Sequence, residues 1–215
     1  LTGLPHVHAR MGLALPFVAA HVTCPSHYRN GLPGESEAAF IRRLADELAD
    51  AIDAAGGSDA VAAFIAEPVQ GAGGVIVPPA GYFEAMRAVC DSRDVALISD
   101  EVICGLGRLG TFWGCQAFGC EPDLLTTAKQ LTGGYVPLSA SIINAEMCAE
   151  IEAAGAAGGP LGHGYTYSGH PVACAVALKA RALCSRRCLP RRAQEVRPAW
   201  HTPRLSILGA LPLAV

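Results

Sequence analysis

The chain has 215 residues, 51% of them hydrophobic and 16% charged, with a formal net charge of -3. That composition belongs to one or two globular domains and excludes intrinsic disorder, while the mild acidity argues against nucleic acid as a partner. The longest apolar stretch, Leu205 to Val215, is short and interrupted by Pro212, so no membrane span is expected. The nine cysteines are odd in number and irregularly spaced, and no basic segment leads into an apolar one as in a secretion signal. Free thiols in a cytoplasmic protein are therefore expected rather than disulfides. Cys115 with Cys120, or Cys184 with Cys188, sit close enough to begin a zinc pair, but neither has the second CxxC or HxxxH that four ligands require, and no metal is expected.

In chain order, Ser36 is placed to cap a helix in which Phe40, Leu44, Leu48 and Ile52 recur every four residues, and Gly56-Gly57 ends it. The continuous apolar run from Val61 to Val69 predicts a strand covered on both faces. Pro78-Pro79 opens a second helix whose apolar side carries Tyr82, Phe83, Met86, Val89 and Cys90. A buried strand follows from Val95 to Ile103. Two more are predicted at Asp123 to Ala128 and Leu138 to Asn144, separated by a turn through Gly133-Gly134. His170 to Leu183 reads as a helix entered through Pro171. This alternation predicts an α/β fold with a mostly parallel sheet and crossover helices. From Cys184 the periodicity fades: residues 181–215 hold one acid, Glu195, against seven arginines. Residues 184–215 are accordingly set apart as an Arg/Pro-rich tail, and 1–183 as the body.

Parallel sheets bind ligands beyond the carboxyl ends of their strands, so polar residues that close an apolar run are the candidate site. Glu67 closes the first, Asp100 and Glu101 interrupt the end of the second, and Lys129 follows the third. A carboxylate carried into the apolar frame of ALIS and VI needs a cationic partner. Lys129 and Lys179 are the only lysines. Lys129 lies in TTAKQLTGGY, a compact setting where desolvation would favour the neutral, nucleophilic amine; Lys179 sits in a helix as a surface residue. Gly105, Gly107 and Gly110 spell GxGxxG, but the aromatic, glycine-rich TFWGCQAFG that follows is no dinucleotide-binding helix, and Glu121 and Asp123 come too early for the ribose acid.

Four blocks in order, AFIAEPVQGAGGVIVPPAGYF, LISDEVICGLGRLGTFWG, PDLLTTAKQLTGGYVPLSA and HGYTYSGHPVACAVALKA, closely resemble the class III aminotransferases. These are pyridoxal-phosphate enzymes of fold type I, and within them the chain looks most like the ω-transaminases that pass an amine to pyruvate. The resemblance spans about residues 1–183. It implies that Lys129 forms the Schiff base with pyridoxal 5'-phosphate and later carries the substrate proton. Asp100 would lie beneath the pyridine nitrogen and keep it protonated, and Val102, two residues on, would pack against one ring face. Thr166 would contact the cofactor phosphate of a partner subunit, which implies a homodimer, and Glu67 would be an acid near the cofactor. An amine or amino-acid donor and a 2-oxo acid acceptor are implied as substrates.

The family's usual GFGRTG reads GLGRLG here, with Leu106 and Leu109, and its AKGLTSGY reads AKQLTGGY, with Gln130 and Gly133. These departures leave the roles of Lys129, Asp100 and Thr166 in place while altering local packing. The family's phosphate-cradling loop and its substrate-carboxylate arginine match nothing in these residues. Two readings follow: a transaminase, or an inactive remnant or interaction module that keeps the fold. Racemase or decarboxylase chemistry on the same scaffold is a further alternative.

Overall fold

The structure is a computed structural model that describes residues 20–159, 163–187 and 207–208. After a single helical turn, α1 (His27–Asn30), the chain enters α2 (Glu37–Ala55), and Ser36 caps it by accepting from the Ala39 amide at 3.2 Å. Its buried residues are the four of the predicted stripe, Phe40, Leu44, Leu48 and Ile52. The helix stops where Gly56 turns into the left-handed region at φ 112°, a conformation that glycine adopts without steric cost.

Strand β1 (Ala63–Ala66) leads through a long connection to α3 (Tyr82–Ser92), which buries Tyr82, Phe83, Met86 and Cys90. The helix begins one residue after the left-handed Gly81, not at the prolines. Strands β2 (Ala96–Asp100) and β3 (Leu124–Thr127) follow, then β4 (Ala140–Ile143), α4 (Ala145–Gly158), α5 (Pro171–Arg187) and β5 (Ile207–Leu208). The sheet order is β1-β2-β3-β4-β5. The first three strands are parallel, β4 is antiparallel to β3, and β5 to β4. The α/β architecture is as expected, and the tight Gly133-Gly134 turn at φ 64° and 80° reverses the chain between β3 and β4. α5 continues four residues past Leu183, through a segment whose arginines are good helix formers.

Residue pairing divides the sheet into two faces. Phe64, Leu97 and Leu125 lie toward α2 and α3, where they join Phe40, Met86 and Trp113 in one core, and Ser99 is buried on the same face. Each large side chain buried there contributes ~1.5–3 kcal/mol. Ile65, Ile98, Leu124, Asp100 and Thr126 occupy the other face. Ile65 is 38% exposed, so the expectation of a first strand covered on both faces is corrected: among the described residues, helices cover one side of β1. The second strand is also shorter than predicted. It ends at Asp100 because Glu101 turns away and spends its side chain on the loop that follows.

Candidate active site

The carboxyl ends of β1, β2 and β3 carry the three predicted polar residues side by side. Ala66 pairs with Ser99 and Asp100 with Thr126, so Glu67 stands beside the end of β2 and Lys129 three residues beyond Asp100's neighbour. Sequence order alone separates these groups by more than sixty residues; parallel pairing brings them to one edge.

Asp100 is half-buried. Its Oδ1 accepts from the Val102 amide at 3.0 Å and from Thr126 Oγ1 at 3.3 Å. Oδ2 has no hydrogen-bond partner among the described residues. The expected cation is not there: no lysine, arginine or histidine forms an ion pair with Asp100 among these residues. A backbone amide and a hydroxyl hold the carboxylate instead, and one oxygen is left for something else.

Lys129 opens a 3₁₀ turn, Lys129–Leu131. Its backbone is at φ 33°, a strained value for a residue with a side chain, and such strain concentrates at functional positions. The compact setting expected for it is corrected, because the side chain is exposed and its ammonium has no partner among the described residues. What fixes the turn lies around it. Thr132 Oγ1 donates to the Val136 carbonyl at 2.6 Å, and Gln130 reaches Cys184 on α5 at 3.7 Å. Leu131 and Val136 pack with Leu138 and Ala173. Gln130, a departure from the family pattern, is thus used in holding α5 against the lysine turn.

Val102 is displaced from its predicted setting. It lies in the turn after β2 and not on the strand expected to reach Ile103, where alternate residues would share Asp100's face, and its amide serves Asp100. Glu67 is half-buried, and its Oε2 accepts from the Gly71 amide at 2.9 Å. Thr166 is exposed in the turn that precedes α5, where Ser168 donates to the Tyr165 carbonyl at 2.9 Å. No hydrogen bond joins Thr166 to Asp100 or Lys129 among the described residues. The GxGxxG segment forms a loop in which the Leu106 and Gly107 amides both reach the Phe112 carbonyl, at 2.6 and 3.2 Å. Leu106, another departure from the family pattern, is 4% exposed and part of the core.

Sequence reasoning named Glu101 only as a strand interruption. It is 1% exposed, and its carboxylate accepts from the Gly114 amide at 2.7 Å, the Cys115 amide at 2.7 Å and Ser99 Oγ at 3.2 Å. The signal available in the sequence is the second acid of an Asp-Glu pair set in apolar surroundings with no base nearby.

A family model described as Aminotransferase class-III matches residues 6–206. Gamma aminobutyrate transaminase 1, mitochondrial, of Solanum lycopersicum is 47% identical over 200 residues, covering 93% of this chain and 38% of that protein. Gamma-aminobutyrate transaminase 1, mitochondrial, of Oryza sativa subsp. indica is 44% identical over the same length, with 93% and 38% covered. Among solved structures, an omega-aminotransferase from Paracoccus denitrificans superimposes with a TM-score of 0.80 at 47% identity, over 85% of this chain and 40% of that one. The omega transaminase from Pseudomonas jessenii, solved in complex with PMP, gives 0.80 at 50% identity with the same coverage. The chain spans about two fifths of the length of these relatives. Relatives named mitochondrial or chloroplastic overturn the cytoplasmic expectation. Its physical basis was free thiols, and these persist in any reducing compartment and do not single out the cytosol.

Proposed function

The chain belongs to the class-III aminotransferases, and from that premise we propose that the protein carrying it transfers an amino group from an amine or ω-amino acid to a 2-oxo acid such as pyruvate, with pyridoxal 5'-phosphate as cofactor. The observation that carries the proposal is the placing at one sheet edge of a primary amine, Lys129, and a carboxylate, Asp100, with the amine and one carboxylate oxygen without a hydrogen-bond partner among the described residues. That donor set fits the cofactor: an amine for its aldehyde carbon and an anion for its ring nitrogen. When bound, the cofactor supplies the ring that takes up the electrons of the substrate's Cα–H bond.

The chain's own residues then divide the work. Lys129 Nζ would hold the cofactor through its aldehyde carbon and, as a base and then an acid, would take the substrate's Cα proton and return it. Val102 N–H and Thr126 Oγ1 fix Asp100 Oδ1, and Oδ2 would accept from the protonated ring nitrogen of the cofactor and keep the proton there. Val102 would pack against one face of the ring from its turn, and Glu67 stands at the adjoining strand end. Thr166, exposed ahead of α5, would contact the cofactor phosphate of a second copy, which would make the working unit a homodimer. Neither nucleic acid nor membrane is a partner in this account, and no helix among the described residues is long and apolar enough to cross a membrane. Residues 1–183 supply the cofactor-binding portion, and the Arg/Pro-rich residues 184–215 follow it, touching it at Cys184 on α5 and adding Ile207–Leu208 to the sheet.

The test supplies cofactor, an ω-amino acid and pyruvate and follows alanine. The proposal expects alanine from the protein and background from its Lys129→Ala variant. Carbon dioxide without alanine would replace transamination by decarboxylation. A folded protein that neither binds cofactor nor makes alanine would overturn the proposal in favour of an interaction module.

A further inference from the structure

Glu101 is a buried carboxylate with no ion-pair partner among the described residues, and it ties together both ends of the loop that leaves β2. Its side chain accepts from Gly114 and Cys115 at the start of the 3₁₀ turn Gly114–Phe118 and from Ser99 behind it. Its backbone amide donates to the Thr126 carbonyl at 2.7 Å, and its carbonyl accepts from Gly105 at 3.0 Å. The surroundings leave it little room. A Cβ on Gly114 would lie 2.6 Å from Cys104 Cβ and 2.8 Å from Glu101 Oε2, and one on Gly105 would lie 2.9 Å from the Glu101 carbonyl oxygen. The peptide that Glu101 fixes in this way is the one whose N–H belongs to Val102, and that N–H reaches back to Asp100 Oδ1 at 3.0 Å.

We propose that Glu101 is a positioning residue for Asp100: by anchoring the 101–102 peptide on the Gly114–Cys115 amides it holds the Val102 N–H on Asp100 Oδ1 and keeps Oδ2 aimed at the cofactor. This rests on the reading of Asp100 as the cofactor's ring partner. A carboxylate is needed at position 101 because it accepts on both oxygens. Glutamine presents one acceptor and one amide NH₂, so in Glu101→Gln either the Gly114 or the Cys115 amide faces a donor, and the loop must shift to relieve it.

The experiment needs no cofactor. An amide proton bonded to a carboxylate moves in chemical shift as that carboxylate ionises, so the Val102 amide of the unliganded chain is followed by NMR from pH 2 to 7. The parent is expected to show a pH step at Val102 that Asp100→Asn abolishes. Glu101→Gln is expected to cut that step to less than half while the remaining spectrum stays that of a folded chain. Ser99→Ala, which removes one bond to Glu101 Oε1 and leaves the loop untouched, is expected to reduce it by a smaller amount. A full step in folded Glu101→Gln overturns the proposal. If that variant does not fold, a full step in Ser99→Ala overturns it. Loss of the step beside a parent that binds no cofactor would sink the reading of Asp100 and leave the Glu101 coupling standing, so the two failures are distinguishable.

Discussion

Thr126 stands directly across from Asp100 on the neighbouring parallel strand, and its hydroxyl donates to Asp100 Oδ1 at 3.3 Å. The bond is long, and it shares its acceptor with the Val102 amide. Thr126→Val therefore removes about 1 kcal/mol of orientation and weakens cofactor affinity roughly fivefold. Asp100→Asn removes a charge-assisted contact of about 1.5–3 kcal/mol, roughly ten- to hundredfold in affinity. Fluorescence titration with pyridoxal 5'-phosphate measures both. A Thr126→Val loss as large as that of Asp100→Asn would mean that the hydroxyl contacts the cofactor itself.

Asp123 occupies the opposite, amino end of β3. Its Oδ2 accepts from Arg87 Nη1 at 2.7 Å and from the Leu97 amide at 2.7 Å, and Oδ1 from Asn144 Nδ2 at 3.2 Å. Asn144 in turn caps α4 through Met147 at 2.8 Å. Asp123→Ala is expected to cost about 2–3 kcal/mol of stability in urea unfolding while cofactor affinity per folded molecule stays unchanged. Weakened affinity in the folded variant would show that the two ends of the sheet are coupled.

Phe40 on α2 is fully buried in the core, with the His27 ring 5.2 Å away. Phe40→Ala leaves a cavity that neighbouring helices fill only in part, at a cost of about 3–5 kcal/mol. A drop in the urea midpoint equivalent to less than about 1 kcal/mol would mean that the helix layer is loosely packed.

Arg43 grips Glu35 through two bonds of 2.8 Å. That hydrogen-bonded guanidinium, helped by the Leu32 amide, lowers the Glu35 carboxyl from its usual 4.5 to about 2. A lowered folded value stabilises the native state fully above the unfolded value, and the contribution is lost as the pH falls from about 4.5 towards 2. Arg43→Met is expected to lower stability at pH 6 and to flatten its fall across that window. An acid limb of unchanged slope in the variant would contradict the assignment.

Burial pushes the Cys90 thiol up to about 11 and that of Cys120 up to about 12, and raises Cys104 and Cys115 as well. At pH 8 these four are protonated and shielded, whereas Cys24, Cys148 and Cys174 are half-buried. A thiol reagent followed by mass spectrometry is expected to label the second group first and the first group only on unfolding. Labelling of Cys115 in the native state at the rate of Cys148 would contradict the packing.

The helix from Ser36 to Gly56 was legible because cap, four-residue stripe and terminating glycine are all local signals and agree with one another. The edge that gathers Glu67, Asp100 and Lys129 was legible for a similar reason: a polar residue closing an apolar run marks a strand end whatever the strand pairs with. β2 was read too long because Val102 and Ile103 continue an apolar pattern, and what stops the strand is a contact thirteen residues away, between Glu101 and Gly114. No period in the sequence encodes that contact. The exposure of Lys129 was misjudged for the same reason, since its small neighbours, Ala128 and Gly133-Gly134, describe the backbone around it and say little of what covers it.

The central claim is that Lys129 is the amine that holds the cofactor. Incubation with pyridoxal 5'-phosphate, borohydride reduction, digestion and mass spectrometry reads it directly, because Lys179 is the only competing side-chain amine. The account predicts a pyridoxyl group on Lys129, with Lys179 unmodified at stoichiometric cofactor. Equal labelling of the two lysines, or none on Lys129, would contradict it.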